Sequence, residues 1–466
     1  MAERAVATYM ADPDLLALAE ARAKARDARR AFLEFSGVTQ ERADRIVAAM
    51  ADAAGKAARE LAQLAVEETG YGVVEDKVYK NLYNARFVAA AMKDMRTIGI
   101  LWVDEPNRMA AIGSPMGVIA GIIPVTNPTS TVIFKCLAAV KAGNAIVCAP
   151  HPRAIRCCVR TAEIMARAAE AAGAPRGLVA CLESATLAST QELMRHPDVS
   201  LVLATGGSAM VRAAYSSGKP TLAVGPGNVP VYVDRSVPDV SEAALMIVTS
   251  KSFDNGTACV AEQSVVLDAP IADACLDAFK RHGTVFLGAA EGERLATLLF
   301  ADSGMLRADA VGLSAVVLAE RIGMRVPANT RVLGVELDGV GNDMPLSREI
   351  LGPVLSFYRA ADANAGYERC REILEFGGEG HTLGLHANDD AVIARFSSLP
   401  ASRIVCNTPS LFGGMGFSCA TDPSFMLGTG TWSGSIVSDN VTPLHLINIK
   451  RIAHEVRPWR SLYDLK

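Results

Sequence analysis

Apolar side chains recur at helical spacing through residues 13 to 69, as in Phe32, Phe35 and Val38 and again in Ile46 and Met50, on a background rich in Ala, Glu, Lys and Arg. That pattern predicts amphipathic helices, continued over 77 to 97, and it marks the region as packing surface with no chemistry of its own. The period then changes. Two apolar runs flank a polar DEPNR turn, and GVIAGIIPV at 117–125 is continuously apolar, as a parallel strand covered on both faces should be. It ends in Thr126, Asn127 and Pro128. A helix over about 129 to 142 and a second buried run, NAIVCAP at 144–150, complete a strand–helix–strand unit, whose ligands lie beyond the carboxyl ends of its strands. Asn127 and His151 stand at such ends. A helix over 155 to 172 stops at Gly173 and Pro175, LVACL follows as a third strand, and SLVLATGGSAMVRAAYSSG supplies a fourth strand, a glycine turn and a helix from about Ala209.

TLAVGPGNVPVYVD at 221–234 brings two short strands across a Gly-Pro loop. A helix through DVSEAALMIVTSKSF then runs into DNGTACVAEQSVVL. From about residue 234 the pattern starts a second α/β unit, with strand-like SVVL at 264–267, a helix over 271 to 282 and an alternating stretch to about 400. The remainder is glycine-rich and ends in strand-like LHLINIKRIA. The fold class is therefore α/β, and 466 residues imply two or three domains.

Composition narrows the function classes. Half of the residues are hydrophobic, a fifth are charged, and a net charge of -4 with dispersed Lys and Arg offers no footprint for nucleic acid or anionic lipid. Met109 to Phe134 contains no charged side chain, yet Pro115, Pro124, Asn127 and Pro128 interrupt it, which predicts strand and turn rather than a membrane helix. Ten cysteines show no repeated CxxC spacing, so no metal site is expected. The opening MAERAVATYMADPD lacks an apolar leader, which points to reduced thiols in the cytoplasm.

Four places could carry chemistry. Cys259 lies between the loop residues Asn255 and Gly256 and a buried run, where a thiol is either reactive or a small packed hydrophobe. The turn Thr205, Gly206, Gly207, Ser208 opens a helix and suits a phosphate, or is only a tight turn. Glu349 precedes a Gly-Pro turn in SREILGPVLSF, and His381 lies beside Thr382 in EGHTLGLH. On local grounds the first could be merely solvated and the second a core histidine.

Taken in order and spacing, IIPVTNP, ATGGS, VGPGNVP, FDNGTACVAEQS, EILGPV and EGHT resemble the aldehyde dehydrogenase superfamily, over roughly residues 30 to 455. NPTSTVIFK, PHPRA, AAYSSGKP and SKSFDNG resemble its coenzyme A-acylating branch, which includes the aldehyde dehydrogenase half of bifunctional aldehyde-alcohol dehydrogenases. The resemblance implies a Rossmann-like cofactor domain from 1–95 and 112–234, a catalytic domain over 235–425, and oligomerisation segments at 96–111 and 426–466. It makes Cys259 the nucleophile, the Asn127 amide and the Cys259 N–H the oxyanion donors, and His381 an aid to the thiol chemistry. Pro124, Val125, Thr126, Thr205 to Ser208 and Gly225 would contact the dinucleotide, and Glu349 would hold its nicotinamide ribose.

Two departures from the hydrolytic members refine this. Where those carry Glu-Leu-Gly-Gly-Lys, whose glutamate activates water, this chain reads Val224, Gly225, Pro226, Gly227, Asn228. A missing general base costs water attack about 10²- to 10⁴-fold, whereas a coenzyme A thiolate needs no such help. Where the NAD enzymes place a lysine and a glutamate near the adenosine ribose stand Ala149 and Pro152, with His151 and Arg153 nearby, which admits NADP as well as NAD. The expectation is an acylating aldehyde dehydrogenase taking a small aldehyde, coenzyme A and NADP or NAD. TGTWSGSIVSDNVTPLHLINIKRIA looks most like the sulfoacetaldehyde type. Acetaldehyde, propionaldehyde or succinic semialdehyde, a hydrolytic dehydrogenase, or an inactive nucleotide-binding scaffold are the alternatives. A free, monofunctional cytoplasmic homodimer or homotetramer is expected.

Overall fold

The computed structural model describes residues 12–465. The opening at 1–11, read above as lacking a leader, lies outside the described residues. The N-terminal periodicity becomes three helices, Pro13–Glu34, Gln40–Lys56 and Ala58–Thr69. The first two begin where a side chain replaces missing helical partners: Asp12 accepts from the N–H groups of Asp14 and Leu15, and Thr39 accepts from Arg42. Gly70, at φ 72°, ends the third. The helix expected over 77 to 97 is broken into Val74–Leu82, a π-turn over Tyr83–Val88, and Ala89–Lys93.

The strands form three sheets. β1 (Gly99–Asp104) and β2 (Met109–Pro115) precede a five-stranded parallel sheet of β3 (Val118–Ile123), β4 (Ala145–Pro150), β5 (Val179–Cys181), β6 (Val199–Thr205) and β7 (Thr221–Val224) in the order β5-β4-β3-β6-β7. Every residue of β3 and β4 is buried, which is why both read as unbroken apolar runs. Strand order reverses at β3, leaving a crevice beyond its carboxyl end. The helix Pro128–Lys141 follows β3, so the uncharged stretch from Met109 is two strands and a helix start. No helix among the described residues is long and apolar enough to cross a membrane.

The second sheet has seven parallel strands: β8 (Val229–Val233), β9 (Glu262–Asp268), β10 (Thr284–Phe286), β11 (Val332–Glu336), β12 (Val354–Ala360), β13 (Gly380–His386) and β14 (Ala401–Cys406), in the order β10-β11-β12-β9-β8-β13-β14. Only residues 225–228 separate β7 from β8. The carboxyl ends of the first sheet therefore face the amino ends of the second, and the space between them is a cavity. β15 (Ile447–Ala453) returns to pair antiparallel with β2, making a three-stranded sheet with β1. Ile100, Trp102, Val103, Ile449 and Ile452 of that sheet are exposed.

Candidate active site

Cys259 lies in the turn ahead of β9, at the amino end of the second sheet. The three residues Asp254, Asn255 and Gly256 approach it in left-handed backbone, at φ 52°, 51° and 71°. Short polar side chains and glycine are the residues that tolerate this region. Asp254 is also anchored: its carboxylate accepts from the Val73 N–H (2.7 Å), Lys77 Nζ (2.9 Å), Lys80 Nζ (2.5 Å) and Thr257 Oγ1 (2.8 Å). Burial opposes its ionisation, but the two ammonium groups outweigh that and hold it below the ordinary carboxylate range. Burial in turn brings Lys80 down to about 8.

Lys80 sets Asn127. Its Nζ donates to Asn127 Oδ1 at 2.6 Å, and because an ammonium only donates, the amide must turn its Nδ2 the other way. One N–H goes to the Thr257 carbonyl at 2.8 Å; the other has only the Thr126 hydroxyl, at 3.3 Å. The region read from sequence as inert packing surface thus supplies the cation that orients a site residue. The available signal was a pair of lysines three apart, Lys77 and Lys80, on the helix face that is buried together with Asn81.

His381, at the start of β13, brings Nε2 to 3.3 Å from Cys259 Sγ and Nδ1 to 3.0 Å from Thr382 Oγ1. Behind them Arg403 of β14 donates to the His381 carbonyl and to Thr382 Oγ1, each at 3.2 Å. Burial and then the Arg403 charge push His381 down to about 3, so the ring is neutral. Burial and then the Glu349 carboxylate push the Cys259 thiol up to about 12, against Arg403, its own N–H and Lys80. Glu349 itself is raised to about 7 by burial, and its Oε1 accepts from the Gly227 N–H at 2.9 Å. Gly227 is required there by close approach, since a Cβ would sit 2.3 Å from the Cys259 carbonyl oxygen.

Of these groups Lys80, Asn127, Thr257, Cys259 and Glu349 line one cavity of about 560 Å³, whereas His381 and Arg403 are buried behind Cys259 and do not line it. Pro124, Val125, Thr126 and Asn127 enter it after β3, His151 after β4, Thr205 at the end of β6 with Gly206 and Gly207 after it, and Gly225 after β7, with Cys259 and Glu349 across from them. Ser208 and Arg153 do not line it. Arg153 is spent elsewhere, donating to the Tyr71 hydroxyl (2.8 Å) and the Thr69 carbonyl (2.9 Å) with its guanidinium over the Tyr71 ring. Thr205 Oγ1 is buried without a partner, an orphan that a bound polar ligand would satisfy, and Gly207 leaves open space at the start of helix Ser208–Tyr215. The wall beside Cys259 is apolar, made by Val260, Leu411, Met415, Phe425 and Leu427. No cluster of metal-ligating side chains occurs among the described residues.

Residues 3–288 match the aldehyde dehydrogenase family model, and the chain belongs to that family. It is 41% identical over 453 residues to the bifunctional aldehyde-alcohol dehydrogenase AdhE of Escherichia coli, covering 96% of this chain and 51% of that protein. The chain thus spans about half the length of that relative. An acetylating aldehyde dehydrogenase of Geobacillus thermoglucosidasius superposes with a TM-score of 0.94 at 46% identity, covering 96% of this chain and 99% of that one. A propionaldehyde dehydrogenase of Rhodopseudomonas palustris, solved with bound CoA and an acylated cysteine, superposes with a TM-score of 0.85 at 28% identity, over 93% and 97% of the two chains.

Proposed function

We propose that this chain is a coenzyme A-acylating aldehyde dehydrogenase: aldehyde, CoA and NAD(P)⁺ give acyl-CoA, NAD(P)H and a proton. The observation that carries the reading is the setting of Cys259. Its sulfur lies 3.3 Å from Nε2 of the neutral His381, and it lines the same cavity as the Asn127 amide that Lys80 orients, while the place of the hydrolytic glutamate is taken by Val224, buried at the end of β7. In this reading the Cys259 thiolate adds to the aldehyde carbonyl, and the Asn127 N–H held only by the long bond to the Thr126 hydroxyl, together with the Cys259 N–H, receives the developing alkoxide. When bound, NAD(P)⁺ supplies the hydride acceptor. Glu349 and Thr205 hold the dinucleotide, and Cys259 is left carrying the acyl group as a thioester until the CoA thiol takes it, returning the thiolate to Cys259. Among the described residues lining the cavity, Glu349 is the one carboxylate, and its tie to Gly227 suits a ribose hydroxyl better than attack by water.

The apolar wall favours acetaldehyde, propionaldehyde or another short apolar aldehyde. Lys80, the one lysine or arginine among the described lining residues, already serves Asn127, Asp254 and Thr257. Sulfoacetaldehyde, suggested by the C-terminal stretch, is the second reading. With Arg153 engaged at Tyr71, the residue left for a 2′-phosphate is His151, which burial and Arg153 keep below the usual histidine range, so NAD and NADP both remain in the reading. An aldehyde panel with and without CoA, using each dinucleotide, tests the whole. Continuous NAD(P)H formation and acyl-CoA are expected with CoA, and a single equivalent per site without it; equal rates in both, or free acid as product, would overturn the acylating assignment.

We further propose a cofactor domain at 1–95 and 112–234, a catalytic domain at 235–425, and oligomerisation segments at 96–111 and 426–466. The exposed Ile100, Trp102, Val103, Ile449 and Ile452 support a homodimer or homotetramer built on the three-stranded sheet. Light scattering should show the oligomer, and Ile449→Glu with Ile452→Glu should yield monomer; a wild-type monomer at micromolar concentration would refute this interface. The cysteines, all free in the structure, support a reducing, cytoplasmic setting.

A further inference from the structure

The hydroxyl of Thr382 decides which nitrogen of His381 carries the proton. Arg403 Nη1 lies 3.2 Å from Thr382 Oγ1, and a guanidinium only donates, so Oγ1 acts there as an acceptor. The hydroxyl keeps one hydrogen, and the acceptor it meets among the described residues is His381 Nδ1, at 3.0 Å. A hydrogen donated to Nδ1 requires that nitrogen to be bare. The neutral ring then carries its proton on Nε2, which faces Cys259 Sγ at 3.3 Å. The reverse arrangement, with Nδ1–H donating to Oγ1, would leave the hydroxyl hydrogen of a fully buried threonine without an acceptor, which folded chains avoid. Arg403 cannot swing aside to relieve this, because its guanidinium is buried and also donates to the carbonyls of His381, Gly428 and Ser438.

We propose that Thr382, held by Arg403, locks His381 in its Nε2–H form, so that the imidazole donates a hydrogen bond to the Cys259 sulfur instead of taking the thiol proton. The inference rests on the reading of Cys259 as nucleophile and makes Thr382 and Arg403 positioning residues. The charged and titratable groups acting on the sulfur are then Glu349, which opposes the thiolate, and Arg403, Lys80 and the Cys259 N–H, which favour it; His381 joins the second set as a neutral donor. The same N–H supports the sulfur twice: as the attacking thiolate, and again when the acyl group passes to the incoming thiol and Cys259 regains its electron pair. Burial and then the Arg403 charge keep a second proton off the ring, so the thiol proton passes to water in the cavity that Cys259 lines.

The test compares Thr382→Val with Thr382→Ser in the full chain. Long-range proton–nitrogen correlations on protein with labelled histidine report the tautomer, the His381 signals being those absent from His381→Asn. Alkylation of Cys259 by iodoacetamide across pH, defined by its loss in Cys259→Ser, reports the thiolate. Wild type and Thr382→Ser should both show the Nε2–H signature. Thr382→Val should populate the Nδ1–H form and alkylate about tenfold more slowly near neutral pH, the scale of one hydrogen bond to a charged group. His381→Gln, which offers an amide N–H and no base, should alkylate faster than His381→Leu. An Nδ1–H signature in wild type, an unchanged signature in Thr382→Val, or His381→Gln as slow as His381→Leu would each overturn the proposal. If Thr382→Val does not fold, the wild-type signature and the His381 pair still decide. Turnover surviving in Cys259→Ser would instead sink the nucleophile reading, independently of the tautomer.

Discussion

Cys259→Ser is expected to lose roughly 10⁴- to 10⁶-fold in turnover while its affinity for NAD(P) stays within about twofold of wild type. The exchange removes one polarisable atom and little volume, so the left-handed Asp254–Gly256 turn and the Asp254 ion network stay in place. A serine hydroxyl is far harder to ionise than a thiol, and in this site even the thiol is held up by burial and Glu349. Stopped-flow NAD(P)H formation and a fluorescence titration of the dinucleotide measure the two quantities separately. Substantial turnover in this variant would mean that another of the ten cysteines, or no cysteine, carries the acyl group.

Asn127→Ala is the second large effect, an expected loss of about 10²- to 10³-fold in kcat with little change in KM, as for removal of one oxyanion donor. The geometry separates this from a folding defect. Lys80 keeps Asp254 and Thr257 when Asn127 is truncated, so no buried charge is orphaned and the melting temperature should move little. Asn127→Asp sharpens the test: its carboxylate still pairs with Lys80 but presents no N–H to the alkoxide, so it should be at least as slow as the alanine variant. An aspartate variant with near wild-type kcat would remove Asn127 from the oxyanion site.

Much of the scaffold was legible from patterning because the relevant signals are local. GVIAGIIPV and NAIVCAP are apolar on both faces, and each is a fully buried strand with a predicted ligand-side residue, Asn127 or His151, just beyond it. The strand expected at 264–267 is Glu262–Asp268, and the helix expected over 271 to 282 is Ala272–Arg281. The assembly of the site was less legible. Cys259, Glu349 and His381 converge because β9, β12 and β13 start at the same edge of the second sheet, β12 beside β9 and β13 one strand further on across β8, a fact of strand order that no single segment contains. Lys80 was invisible for a related reason: its partner Asp254 is 174 residues away, and a lysine on a helix reads as solvated until the anion that buries it is found. Arg153 shows the converse, since nearness in sequence to His151 says nothing about the Tyr71 ring that claims it.

The head-to-tail meeting of the two sheets has a mechanical side. One wall of the cavity hangs on the carboxyl ends of β3, β4 and β6, and the opposite wall on the amino ends of β9 and β12. The depth of the cleft is therefore a property of the four-residue joint at 225–228, set by neither sheet alone. Asn228 pins that joint to the carbonyls of Ser347 and Ile373, and Gly227 bears directly on the carbonyl of Cys259. A ligand long enough to touch both walls therefore bridges the joint at the point where Gly227 packs against the carbonyl of the residue that carries the thiol.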